Sequence, residues 1–195
     1  MACMACISNS LLFFFLFTLL STPLPTLSEA ANPTKKIVNI VLVHSAIANG
    51  SSWYSVIPHL QAAGHTILAV QQHLSSIDDV VARVKIALAT FKSGPIVLVS
   101  HSFGGLVFTQ TSHGNNNIPS LVYIAAFAPD QGESIVELSK GYQVLPSSQN
   151  FIPDGAGQLT LSQDNFLKYF APDVDEKQAK IMTAAQGPCD VARSS

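Results

Sequence analysis

Four short apolar runs decide what this chain can fold into. "KKIVNIVLVHS", "HTILAV", "PIVLVS" and "SLVYIAAFAP" are too short for core helices and too uninterrupted for strands with one wet face. Continuous β-branched and leucine character of that length predicts strands buried on both faces, as in a parallel sheet. The segments between them keep a different period. In "WYSVIPHLQAAG", Trp53, Val56, Ile57 and Leu60 recur at helical spacing, and Gly64 follows at a helix-ending position. "SIDDVVARVKIALATFKSG" has Ser76 to cap it, Asp78 and Asp79 at the positive end of its dipole, and Gly94 beyond its end. "GGLVFTQTS" opens a third helix. Strands alternating with helices at this pace predict an α/β fold, a parallel sheet with crossover helices.

From Asp130 the pattern changes. "QGESIVELSKGYQVLPSSQNFIPDGAGQ" carries turn residues without a sustained apolar strand, and "SQDNFLKYFAP" and "DVDEKQAKIMTAA" read as short amphipathic helices. These features predict a helical cap over residues 131–195, above a core at 31–130.

The amino terminus reads as a signal for export. An apolar block, Leu11–Leu20, is too short to span a bilayer and is followed by polar, proline-bearing residues. Ser28 and Ala30 then stand at the small-residue positions of a cleavage site, so residues 1–30 are expected to be a secretory signal peptide cut after Ala30. The mature chain would then be secreted with no stable membrane span. Cys3 and Cys6 would leave with the signal, so Cys189 would be the sole thiol and stability would come from packing. "NGS" at Asn49 is a glycosylation acceptor pattern. With 48% hydrophobic and 11% charged residues the rest should be ordered, and a net charge of −2 offers nucleic acid no basic field. Nothing in the sequence points to a cofactor, and the histidine and cysteine spacings match no metal motif.

The chemistry centres on "PIVLVSHSFGGLVF". A serine hydroxyl becomes a nucleophile when it is exposed, has a base, and has donors waiting for an oxyanion. Ser102 lies between a predicted strand and a predicted helix, with small Ser100 two residues before it and Gly104 two residues after. That arrangement allows a tight strand-to-helix turn that lifts Oγ above the sheet and aims the Phe103 N–H at a developing negative charge.

"IVLVHSAIANGSSWYSVIPHLQAAGHTILAV", "VLVSHSFGGLV" and "LVYIAAFAPDQGES" resemble the α/β-hydrolase superfamily, in particular small esterase-like members that include plant methylesterases and hydroxynitrile lyases. The resemblance implies that His44 and Ser45 take the His-Gly positions opening an oxyanion loop, that Ala46 supplies the second backbone N–H, and that His101 supports the turn. It also implies a triad acid after a later strand and a histidine after the last one, in strand-helix units beyond the cap that these 195 residues do not include, so the fold is expected to be truncated. Asp130, after the fourth apolar run, is an alternative acid position in the superfamily and equally an ordinary loop aspartate in "APDQGES".

None of the six histidines suits the role of base. His101 adjoins the serine and cannot easily fold back onto it, and His113 is expected ~16 Å along the helix axis. His44 belongs to the oxyanion loop, and His59, His65 and His73 to the first crossover. The sequence therefore predicts a serine hydrolase of the esterase type, acting on a small ester or other apolar ligand, whose nucleophile is present and whose triad acid and histidine are not. The alternatives are a catalytically dead small-molecule-binding protein and a fragment without function of its own. Trp53, Phe103, Phe127 and Phe166–Phe170 are candidate pocket or packing aromatics, and Leu121–Phe127 is expected to be an open sheet edge available to a partner chain.

Overall fold

The structure, a computed structural model, describes residues 36–130 and 133–190; the expected signal peptide lies outside the described residues. Strands β1 (Asn39–Val43), β2 (Thr66–Ala69), β3 (Ile96–His101) and β4 (Ser120–Ile124) form one parallel sheet in the order β2-β1-β3-β4. The two central strands are β1 and β3, and their alternation fills two separate cores. Val41, Val43 and Leu98 point to one side, where they meet Val80 and Val84 of the second helix and Phe108 of the third. Ile40 and Leu42 point to the other, against Trp53, Ile57 and Leu60. Each such side chain removed from water contributes about 1.5–3 kcal/mol, which explains why these strands tolerate no polar face.

The crossovers are α1 (Ile57–Ala62), α2 (Ile77–Ala89) and α3 (Leu106–Ser112). Helix α2 follows the expected pattern: the Ser76 hydroxyl accepts the Asp79 N–H at 3.1 Å, Asp78 and Asp79 occupy the first turn, and Val80, Val81, Val84, Ala87 and Leu88 form the buried stripe. Helix α1 is shorter than its spacing suggests. Pro58, which has no N–H to give, is tolerated only in a first turn, so the helix begins at Ile57 and Trp53 ends a separate 3₁₀ turn, Gly50–Trp53.

The outer strands lack the burial on both faces expected of them, while β4 takes the edge position expected of Leu121–Phe127. Strand β2 is an edge and only partly buried along its length. Strand β4, the opposite edge, is exposed at every residue, with Leu121, Val122, Tyr123 and Ile124 between 36% and 45% accessible.

Beyond Asp130 the chain forms α4 (Ile135–Leu138), an antiparallel pair β5 (Phe151–Pro153) and β6 (Leu159–Leu161), α5 (Gln163–Asn165) running into a π-helical turn at Phe166–Phe170, and α6 (Glu176–Ala184). The β5–β6 pair was not anticipated. Asp154 makes its turn by accepting the N–H groups of Ala156 and Gln158. This region is joined to the sheet side at Cys189, which exchanges backbone hydrogen bonds with Leu159, while the Asp190 N–H donates to the Leu74 carbonyl. No helix among the described residues is long and apolar enough to cross a membrane.

An apolar, uncharged edge with unpaired backbone groups is a template for strand pairing between copies. Dynamic light scattering of the purified chain is expected to show self-association, and Val122→Lys is expected to reduce it. An equally associated Val122→Lys protein would locate the contact elsewhere.

Candidate functional site

The end of β3 is tightly constrained. His101 is still extended, Ser102 turns to φ 52°, and a 3₁₀ turn at Ser102–Gly105 leads straight into α3. A left-handed non-glycine residue costs on the order of 1–3 kcal/mol and persists only where packing enforces it. The enforcing contacts are identifiable. A Cβ on Gly104 would lie 2.9 Å from the Val43 carbonyl oxygen and 3.0 Å from that of His44, and one on Gly105 would lie 1.9 Å from the Phe127 carbonyl oxygen. The first turn of the helix thus rests directly on the backbone leaving β1 and β4. The Ser102 carbonyl accepts the Phe127 N–H at 3.1 Å, closing the same contact from the other side. Ser100, opposite Val43 in the ladder, is wholly buried. The small residue expected at 104 is therefore where close approach requires it. Gly105, not singled out in the sequence, makes the tighter approach; the doubled glycine was the available signal.

Among the described residues two further left-handed non-glycine residues occur, Ile47 after β1 and Ala125 after β4. With Ser102 after β3, all three strained positions lie at the carboxyl edge of the sheet, where ligands bind in open α/β folds. A cavity of about 610 Å³ opens there. Ser45, Ala46, Ser102 and Phe103 line it from the sheet side, and Leu138 and Phe170 are among those lining it from beyond Asp130. Phe127 also lines it, whereas Trp53 packs in the core on the other side of the sheet and Phe166 is fully buried. Among the described residues that line it, none carries a charge and none is a histidine.

The loop after β1 is held by its own side chains. His44 is buried and its Nδ1 donates to the Ser45 carbonyl at 2.8 Å. Burial holds the imidazole below its ordinary pKa, and the Ser45 hydrogen bond opposes this only in part. His101 is likewise lowered by burial. Asn49 uses its amide in the structure: Oδ1 accepts the Ser51 N–H at 2.8 Å and Nδ2 donates to the Ala185 carbonyl. Cys189 lies buried beside this loop, its thiol pushed up to about 12 by burial and by the Asp190 carboxylate against the pull of an Ile47 backbone hydrogen bond.

The other histidines lie elsewhere. His65 accepts the Val38 N–H at 3.3 Å, His59 is on exposed α1, His73 is in an exposed loop, and His113 lines a separate depression with Lys85 and Asn115. No hydrogen bond among the described residues joins a histidine to Ser102. The Asp130 side chain is exposed; its N–H donates to Glu133 at 2.7 Å, as a loop residue. Among the described residues no group of three His, Cys, Asp or Glu side chains could hold a metal.

Because His44 and His101 are kept neutral in the fold, the unfolded chain binds more protons below about pH 6.5. Stability is expected to be level above that value and to fall as pH drops from 6.5 toward the depressed folded-state values. Thermal melts across this range should show a shallower fall in His101→Gln, and an unchanged slope would remove His101 as a contributor.

Comparison with known proteins agrees with this architecture. The sequence pattern of the alpha/beta hydrolase family matches residues 40–193. Methylesterase 2 of Arabidopsis thaliana is 28% identical over 157 residues, 69% of this chain and 60% of that protein. Alpha-hydroxynitrile lyase of Arabidopsis thaliana is 35% identical over 121 residues, 55% of this chain and 47% of that protein. The crystal structure of polyneuridine aldehyde esterase superposes with a TM-score of 0.69 at 17% identity, covering 81% of this chain and 71% of that one, a likeness of fold. The chain thus spans about half to three fifths of the length of these curated relatives. A parallel sheet in this order, a strained serine at the end of its third strand and a family pattern covering most of the sequence lead to one assignment: the chain belongs to the alpha/beta hydrolase family.

Proposed function

We propose that this chain carries the nucleophile and oxyanion half of a serine esterase acting on small, neutral, largely apolar carboxylic esters. The observation that carries the reading is Ser102 held at φ 52° on the wall of an uncharged cavity that Ala46 and Phe103 also line. In this reading Ser102 Oγ attacks the ester carbonyl carbon, the carbonyl π electrons move onto oxygen, and the N–H groups of Phe103 and Ala46 receive that charge. Collapse of the intermediate expels the alcohol, and water then releases the acid. Esterase relatives and a cavity without a charged side chain support the substrate class.

The step this chain serves poorly is removal of the Oγ proton. All six histidines fall within the described residues, none lines the cavity, and Asp130 has no imidazole to orient. The triad acid and histidine are absent from this sequence in the same reading, and loss of triad members costs several powers of ten even where the oxyanion site survives. The purified 195-residue chain is expected to hydrolyse a short-chain nitrophenyl ester only slowly, with a fluorophosphonate labelling Ser102 slowly and Ser102→Ala not at all. Brisk turnover abolished in Ser102→Ala would reveal a base; labelling that survives Ser102→Ala would remove Ser102 as the nucleophile.

A second reading, a binding protein without turnover, is favoured by the same lack of a charged or histidine side chain among the described residues lining the cavity. It differs in one respect: complete inertness of Ser102 to the phosphonate. The proposal includes secretion, with residues 1–30 as signal peptide, 31–130 as hydrolase core and 131–195 as cap. The mature protein from a eukaryotic secretory host is expected to begin at Ala31, and an amino-terminal sequence starting earlier would overturn this.

A further inference from the structure

The parallel ladder between β1 and β2 ends with the Val70 N–H on the Leu42 carbonyl at 2.9 Å. By the two-residue period of a strand, the next acceptor on that side of β1 is the His44 carbonyl, and its backbone partner would be residue 72. The chain has turned away by then: the Gln71 side chain accepts the Gly50 N–H at 3.1 Å. The rung is made nevertheless. Gln72 Nε2 donates to the His44 carbonyl at 2.9 Å, a side-chain amide standing where a backbone amide would have been. Across the sheet the same carbonyl oxygen rests on Gly104, one turn residue beyond Phe103.

Two consecutive peptide planes are thereby fixed. The Gln72 bond sets the plane of the His44–Ser45 peptide. The His44 ring sets the next one: a carbonyl only accepts, so Nδ1 carries the proton that bonds the Ser45 oxygen at 2.8 Å. In a trans peptide the C=O and the following N–H point in opposite directions, so fixing the Ser45 oxygen on the His44 ring turns the Ala46 N–H away from it. His44 is buried and does not line the cavity, while Ala46 does.

We propose that Gln72 is a positioning residue of the hydrolase site, which extends the β1–β2 ladder by one side-chain rung and, through His44, aims the Ala46 N–H at the oxyanion position. The inference rests on the reading of Ser102 and Ala46 given above, and it assigns a role to a residue outside the cavity, on a different crossover from Ser102.

The test compares a ligand that becomes an oxyanion mimic with one that does not. Phenylethylboronic acid adds Ser102 Oγ to boron, forming a B–O bond, releasing the hydroxyl proton to water and leaving a tetrahedral boronate anion. Phenylpropanamide fills the same cavity without forming an anion. Binding of each to the full chain is measured by calorimetry for wild type, Ser102→Ala and Gln72→Met, the last matching glutamine in length without its donor. The expected result is a boronate affinity about tenfold weaker in Gln72→Met with amide affinity within about twofold, the pattern of a lost transition-state contact. Equal losses for both ligands, or no loss for either, would overturn the positioning role alone. Boronate binding in wild type no tighter than in Ser102→Ala would overturn the serine reading and the positioning role with it. Should Gln72→Met not fold, long-range proton–nitrogen spectra of the wild-type histidines decide: a proton on His44 Nδ1 supports the arrangement, and one on Nε2 overturns it.

Discussion

The structure depends on one close approach, the seating of the first turn of α3 on bare backbone. Gly104 sits over the carbonyls of Val43 and His44, and Gly105 over that of Phe127. Any side chain at these positions would push the helix off the sheet, and the serine that precedes them would descend into the strand. What holds the helix down is ordinary packing. Leu106, Val107 and Phe108 are buried behind the glycines, and Phe108 takes the edge of Tyr123 at a ring separation of 5.2 Å. Burial of that size offsets the left-handed strain at Ser102 several times over.

That seating also explains why the other loops at this edge are constrained. The carbonyls on which the glycines rest belong to the exits of β1 and β4, so those exits cannot relax independently of the turn at Ser102. Ile47 and Ala125, each left-handed, are where the two exits absorb the misfit. A β-branched residue in that conformation is a conspicuous departure from steric preference, and Ile47 is buried completely there. Strain at three strand ends, converging on one cavity, is the physical signature that separates this edge from the opposite one, where His113 and Asn115 line an unstrained surface depression.

Much of this was legible in the sequence because the signals were local. The strand runs, the Ser76 cap, the small residues around Ser102 and the order of strand and helix each follow from residues within a few positions of one another. What was not legible depended on position in the sheet or on distant partners. "HTILAV" has the composition of a central strand, and only the strand order makes it an edge. Helix α4 was not expected, although its signal is local: Ser134 and Glu137, three residues apart, form a reciprocal capping box. The β5–β6 pair is too short and too irregular to show a period, with Pro153 closing its first strand. Gln72 was beyond reach, since its partner is a backbone atom 28 positions away.

In the proposed reading the two halves of serine catalysis have different structural origins, and this chain separates them. On that reading, the hydroxyl and the two amide N–H groups are oriented where β1 and β3 end, by residues 44–46 and 100–105 and the packing around them within residues 39–127. Amide N–H groups are permanent dipoles that need no titration, so this half is present whenever the sheet is folded. Proton transfer is different. It needs an imidazole within hydrogen-bond reach of one oxygen, and the geometry that builds the first half supplies none. A hydrolase and a binding protein would therefore share every contact described around Ser102, and what distinguishes them is the rate at which a single proton can leave.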